Sequence, residues 1–403
     1  MGSEGSRGLT VLAIAVLVLV CGPMPAASAR PEPAGALRGV AGPGDFARRV
    51  SIGGGRSLYL ECRGRGFPTV VFESGSGNAG DIWSFRPPGS RRTPVLPALS
   101  RFTRVCAYDR PGTTLQGGRL SRSDPVPLPR SLRAIVADLH LLLAAARIPG
   151  PYVLVGHSMG GLLARFYAST YPGQVAGLVS VDAAHEILYD AYLTLLTPEQ
   201  FLPYQAAGIE IGVAAATAEI RRVRAERPLR PMPLVVLEHS RDRRRFPNPL
   251  GYAAGYPVAA LEHAFQASQD DLATLVPYAK HVLAVNSEHY IQLDQPGLVI
   301  RWVRRVVREL RPASVRCRGG STACRARVSL AGGASNKRVV IRLPDTDLRL
   351  VSVRPSRCGL RGAYGLSGQS LRQGGSVYVF RLYAPQSIPR GSYLLLTFRS
   401  IGP

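Results

Sequence analysis

Lysine is nearly absent: Lys280 and Lys337 are the only two in 403 residues. Acidic side chains are scarce as well, 26 against 50 basic ones, so arginine carries almost all of a formal net charge of +24. Such an excess favours anionic surfaces such as phospholipid headgroups, envelope polymers or nucleic acid, although a GC-rich coding sequence produces the same arginine skew. No basic helix, zinc-ligand spacing or aromatic RNA-binding strand is read along the chain, so no nucleic-acid partner is expected. Charged residues make up only 19% and hydrophobic ones 46%, which excludes a largely disordered chain and supplies a full-sized core. Past residue 29 no apolar run is long enough to cross a bilayer, and no internal repeat is found. The length allows two domains, three at most.

The N-terminus carries an export signal. Arg7 precedes the uncharged run Leu9 to Val20, and Ala27-Ser28-Ala29 supplies a small-x-small cleavage site. Residues 1–29 are therefore expected to be a signal peptide and residues 30–46, rich in Pro, Gly and Ala, a flexible lead-in. A secreted or envelope-associated protein follows, and an oxidising compartment permits disulfides. Cys62 closes the strand Ser57–Cys62 and Cys106 sits in the strand Phe102–Tyr108, so the two bridge if those strands are neighbours. Cys317, Cys324 and Cys358 lie in the tail.

From about residue 47 to 311, apolar runs of strand length alternate with helical patterns. Strands are expected at Val50–Ile52, Ser57–Cys62, Thr69–Phe72, Phe102–Tyr108, Tyr152–Val155, Ala176–Val181, Leu234–Leu237 and His281–Val285. Helices are expected at Ser131–Ala146, Gly160–Ser169 and Pro296–Leu310. This alternation implies an α/β domain with a mostly parallel sheet and helices on both faces. A helical insertion over about 186–230 forms a cap above the sheet's carboxyl edge, where open α/β sheets bind ligands. Residues 313–403 change texture to short β runs between Gly, Ser and Pro turns. With fifteen basic and two acidic residues, they read as a small, basic, β-sandwich-like domain.

The strongest chemical signal is Gly156-His157-Ser158-Met159-Gly160, a G-x-S-x-G between a strand and a helix. The tight turn lifts the Ser158 hydroxyl clear of the backbone, and the helix N-terminus aims its free N–H groups at the same point. Three other stretches follow a familiar order: Val70-Val71-Phe72-Glu73-Ser74-Gly75-Ser76-Gly77, then Tyr108-Asp109-Arg110-Pro111-Gly112, and after the elbow Ser287-Glu288-His289-Tyr290. With these landmarks the chain resembles the α/β-hydrolase superfamily. It is closest to exported bacterial serine hydrolases with an E-S-G-x-G loop and a G-H-S-M-G-G elbow.

The resemblance implies the α/β-hydrolase fold and a serine nucleophile, Ser158, activated by a histidine. His289 follows the last strand and precedes the final helix, as the base should. The acid that orients it is either Asp182, at the end of the strand after the elbow helix, or Asp242, after the next strand, the commoner place in the superfamily. Asp182 is favoured, because Asp242 stands among Arg241, Arg243, Arg244 and Arg245 and would be held in ion pairs on a solvated loop. Asp109 precedes the nucleophile, against the family's chain order, and reads as a turn residue. The Met159 N–H supplies one oxyanion donor, and Ser76 or Gly75, with Ser76 favoured, supplies the other.

These residues imply a secreted serine hydrolase cleaving small-molecule or lipid esters by acyl transfer, with no metal or organic cofactor. A prolyl-aminopeptidase-like peptidase is the first rival. A non-catalytic envelope-binding protein, held to anionic surfaces by residues 313–403, is the rival from another class. Leu188, Tyr189, Tyr192, Leu193, Leu195 and Leu196 in the cap are expected to form an apolar acyl site.

Overall fold

The computed structural model describes residues 44–204, 210–277 and 279–310 with their side chains, and the backbone of seven strands between 313 and 400. The boundary between two compact units of the chain falls between Arg311 and Pro312.

The first unit runs β1 (Phe46–Gly53), β2 (Arg56–Arg63), β3 (Val70–Glu73), α1 (Val95–Ser100), β4 (Val105–Tyr108), α2 (Leu132–Ala145), β5 (Tyr152–His157), α3 (Met159–Thr170) and β6 (Val175–Val181). It continues with α4 (Glu186–Leu195), α5 (Pro198–Phe201), α6 (Val213–Glu226), β7 (Leu234–Glu238), α7 (Val258–Leu272), β8 (Lys280–Leu283), α8 (Ile291–Asp294) and α9 (Pro296–Leu310). The eight strands form one sheet in the order β1-β2-β4-β3-β5-β6-β7-β8. The β1–β2 and β2–β4 pairs are antiparallel and every other pair is parallel.

The central strands are buried on both faces, which is why they read as continuous apolar runs rather than as alternation. Within β5, Leu154 joins the apolar cluster that holds α2 and α3, while Val153 and Val155 join the one that holds α1 and α9. Strand periodicity thus feeds two cores from one segment. Ser131 caps α2 by accepting the Ala134 amide at 3.2 Å.

The sequence reading is corrected at several places. It lacks helices α1, α7 and α8 and the tail strands Ala313–Ser314, Ala323–Ser329 and Tyr364–Ser370. The final helix α9 is also a basic one: Arg301, Arg305 and Arg308 are exposed on the face opposite Val299, Val303 and Val307.

Cys62 and Cys106 sit directly opposite each other on β2 and β4 and form a disulfide. It closes a loop of 44 residues, for which chain-entropy arguments give about 4 kcal/mol of stabilisation. The Cys62→Ser/Cys106→Ser double variant should lose about 2–4 kcal/mol in urea unfolding relative to the oxidised protein.

The second unit contains β9 (Ala313–Ser314), β10 (Ala323–Ser329), β11 (Asn336–Arg342), β12 (Leu348–Pro355), β13 (Tyr364–Ser370), β14 (Ser376–Tyr383) and β15 (Tyr393–Ser400). They pair as two sheets, β10-β15-β12 and β13-β14-β11-β9. The expected export signal, the expected lead-in up to residue 43, the three tail cysteines' side chains and the tail's expected basic surface lie outside the described residues.

Candidate active site

The turn from β5 into α3 places Ser158 at φ 52°, ψ −126°, a conformation sparsely populated by residues other than glycine. The chain can make this turn only because its flanks lack side chains. A Cβ on Gly156 would lie 2.3 Å from the Gly160 carbonyl oxygen, and one on Gly160 would lie 2.4 Å from the carbonyl oxygens of Glu73 and Ser74. The Ser158 N–H donates to Val181 O at 3.1 Å, and its carbonyl accepts from Gly161 N and Ala184 N, both at 2.9 Å. The hydroxyl is thus raised at the head of α3, on the wall of a cavity of about 240 Å³.

His289 and Asp182 line the same cavity. Asp182 directly follows β6, with φ 48°, and its amide is tied to Leu237 O at 2.7 Å. Its Oδ2 lies 2.7 Å from His289 Nδ1. The carboxylate is fully buried, and burial alone would raise its pKa. The charge of His239 and the bonds from His239 and His289 instead hold it well below the usual range. His157, inside the elbow, turns away from the hydroxyl. Its Nε2 lies 3.0 Å from the His289 carbonyl oxygen and its ring 4.6 Å from the His289 ring, so it supports the histidine loop from behind. Burial, reinforced by the neighbouring His289, lowers its pKa to about 3, which keeps it neutral.

Met159 and Ser76 also face the cavity. Their N–H groups donate to no acceptor among the described residues. Gly75 does not line the cavity; a Cβ there would meet His157 Nδ1 at 2.8 Å. The loop's other polar groups are held from outside. Arg110 donates to Ser74 O at 2.9 Å and to Gly75 O at 2.7 Å, and Gly77 N donates to Glu210 Oε1 at 2.8 Å. Glu210 in turn accepts from Arg110 Nε at 2.6 Å and Nη2 at 3.0 Å. Glu73, beneath the loop, is pushed up to about 7 by burial, against the opposing pull of Arg110 and Tyr108.

Cap residues Leu188, Tyr189, Tyr192, Tyr204 and Ile211 close the cavity, joined by Tyr252 and Tyr256 from the segment after β7. The expected apolar acyl wall is therefore corrected: Leu193 and Leu195 are exposed, Leu196 packs against the core, and tyrosines supply much of the lining. Asp242 lies apart from His289. It is exposed, and its Oδ1 accepts the backbone amides of Arg244 and Arg245 at 3.1 and 3.3 Å. The ion pairs expected around it go elsewhere, Arg241 to Glu238 and Asp270, Arg243 to Glu262. Asp109 is buried and holds its turn, accepting Gly80 N at 3.0 Å and pairing with Arg122.

The model of the alpha/beta hydrolase fold matches residues 68–300. The chain belongs to the α/β-hydrolase fold family. An uncharacterized protein of Schizosaccharomyces pombe is 40% identical over 89 residues, 22% of this chain and 15% of that one. RutD of Shigella flexneri, a proposed carbamate hydrolase, is 28% identical over 244 residues, 54% of this chain and 86% of that one. Among solved structures, Cfl2 from Burkholderia cenocepacia is 19% identical, with a TM-score of 0.44 over 66% of this chain and 96% of that one.

In this α/β-hydrolase fold chain, the order Ser158, Asp182, His289 follows the family's order of serine, acid and histidine. Two residues at the site escaped the sequence reading. His239, just past the end of β7, also bonds Asp182, at the same oxygen as His289 (Nδ1 to Oδ2, 2.8 Å), and Glu262 on α7 pairs with its other nitrogen. The available signal was position: β6 and β7 are neighbours, so residues just past their ends share one sheet edge. Glu238, Asp270 and His281 also gather near one another. Arg241 pairs with both of those carboxylates and His281 Nε2 with Glu238, so the cluster's charge is already met.

Proposed function

We propose that this α/β-hydrolase fold protein is an exported serine hydrolase that cleaves carboxylic esters through an acyl-enzyme. The observation that carries the reading is the His289 Nδ1–Asp182 Oδ2 bond of 2.7 Å on the wall of the cavity that also holds Ser158. In the reaction, Ser158 Oγ attacks the ester carbonyl carbon and gives its proton to His289 Nε2. The N–H groups of Met159 and Ser76 receive the developing oxyanion. Collapse breaks the bond to the alcohol, which leaves with the proton from His289. Water, deprotonated by the same nitrogen, then releases the acid and restores Ser158. Asp182 keeps the His289 proton on Nδ1, leaving Nε2 free as base. The cavity of about 240 Å³ is smaller than the usual range for ligand sites, roughly 300–1,000 Å³, which favours short acyl groups.

The test is turnover of short-, medium- and long-chain p-nitrophenyl esters, with a p-nitrophenyl carbamate included because of the relative's name. Short esters should be cleaved fastest, turnover should vanish in Ser158→Ala, and a fluorophosphonate should label Ser158 alone. Undiminished turnover by Ser158→Ala, or neither turnover nor labelling in the native protein, would overturn the reading.

A further inference from the structure

His239 is fully buried between two carboxylates that the reaction does not consume. Its Nδ1 lies 2.8 Å from Asp182 Oδ2 and its Nε2 3.1 Å from Glu262 Oε2, while its backbone N–H donates to Asp182 Oδ1 at 2.7 Å. The ring stacks on Phe265 with centroids 4.8 Å apart, so its plane is fixed by packing. A neutral imidazole has one donor nitrogen and one acceptor. Facing a carboxylate at each nitrogen, this ring satisfies both only when both nitrogens carry protons.

We infer that His239 is a permanently charged positioning residue, an imidazolium that clamps Asp182 with two donors and offsets its charge while Asp182 orients His289. The inference rests on the ester-hydrolase reading. Asp182 thereby accepts three hydrogen bonds, two from His239 and one from His289, and cannot swing away from the base. A lone buried carboxylate beside His289 would favour its imidazolium and occupy the base with a proton at neutral pH. His239 opposes that effect across Asp182.

The surrounding charges fit this arrangement. Glu262 on α7 answers His239, and Arg243 from the loop after β7 lies 3.1 Å from the same Glu262 oxygen. His289 is faced by Asp182 from β6, by neutral His157 from the elbow and by Tyr290 from its own loop; the phenol of Tyr252 stands near Asp182 and Glu262. Burial would strip a proton from His239, but the charge of Asp182 and the bonds to both carboxylates outweigh it and raise the ring's pKa to about 10.

Two measurements test this. In His239→Gln, the acid limb of kcat/KM on a p-nitrophenyl ester should move up by about one pH unit, because Asp182 acts on His289 unopposed. The limb should stay raised, by less, in His239→Gln/Glu262→Gln, where no carboxylate is left stranded. A residue that merely fills space would lower kcat and leave the limb in place, and that result would overturn the inference. Independently of turnover and of any variant's folding, ¹⁵N spectra of the histidine-labelled native protein should show both His239 ring nitrogens protonated from pH 6 to about 8.5. A neutral His239 tautomer at pH 7 would sink the inference even if ester hydrolysis is established. Protonation of both nitrogens in a protein that cleaves no ester would instead leave the charged clamp standing and remove only the ester-hydrolase reading.

Discussion

Asp182→Asn should lower kcat/KM on p-nitrophenyl esters by about 10³–10⁴-fold, whereas Asp242→Asn should leave it unchanged. Every hydrogen bond at the Asp182 carboxylate is donated to it: His239 N to Oδ1, and the Nδ1 atoms of His239 and His289 to Oδ2. An asparagine amide turns one of those oxygens into a donor, which must then face a donor. If the NH₂ group points to His289, the ring is driven to the tautomer with its proton on Nε2, the atom that should receive the Ser158 proton. If it points to the His239 amide, a buried N–H loses its acceptor. The fold should survive, because the Asp182 backbone bond to Leu237 O does not involve the side chain. Asp242 accepts only backbone amides of its own exposed turn. Michaelis–Menten kinetics of the two variants decide the matter: a large loss in Asp242→Asn with a small one in Asp182→Asn would reverse the assignment of the acid.

What was legible in the sequence was local. The elbow announces itself because its two glycines flank the serine within five residues, between a strand and a helix, although only the demand on Gly156 is local and that on Gly160 comes from the Glu73 and Ser74 carbonyl oxygens. The parallel sheet was legible for a similar reason: strands buried on both faces leave short, wholly apolar runs such as Tyr152–Val155. Asp182 was within reach because a strand end can be read from its own few residues. His239 was not, since its meaning depends on Glu262, 23 positions later on another element, and on Asp182, 57 positions earlier. The cap failed differently. Leu193 and Leu195 have the composition of a buried face, yet they fall on the outer side of α4, while Leu188, Tyr189 and Tyr192 at helical spacing turn inward. Composition names a wall, and only the helical phase says which side of it is wet.

The same distance hides the residue whose loss should cost the most stability. Arg110→Met is expected to destabilise the protein by about 3–5 kcal/mol and to slow ester cleavage by about 10²–10³-fold. Arg110 is buried, and each polar hydrogen of its guanidinium finds an acceptor: Glu210 from Nε and Nη2, Glu73 and Ser74 O from Nη1, Gly75 O from Nη2. Removing it strands two buried carboxylates and frees the carbonyls that keep the Ser74–Gly77 loop turned outward, with the Ser76 N–H left for the oxyanion. Lysine is no substitute, since one ammonium cannot reach five acceptor positions in a plane. The two losses should be separable. In Arg110→Met both carboxylates lose their guanidinium partner. Glu73, no longer pulled down by Arg110 against its burial, holds its proton more tightly in the folded chain than in the unfolded one, so the stability deficit is small near pH 5 and grows as pH rises through neutrality. Neutralising them in Arg110→Met/Glu73→Gln/Glu210→Gln should recover much of the stability and flatten that pH dependence, yet leave kcat low, because the loop carbonyls still lack their donor. Urea unfolding at pH 5 and 8, beside kcat for each variant, measures both. Recovery of kcat together with stability in the triple variant would show that Arg110 only balances charge and does not hold the oxyanion loop in place.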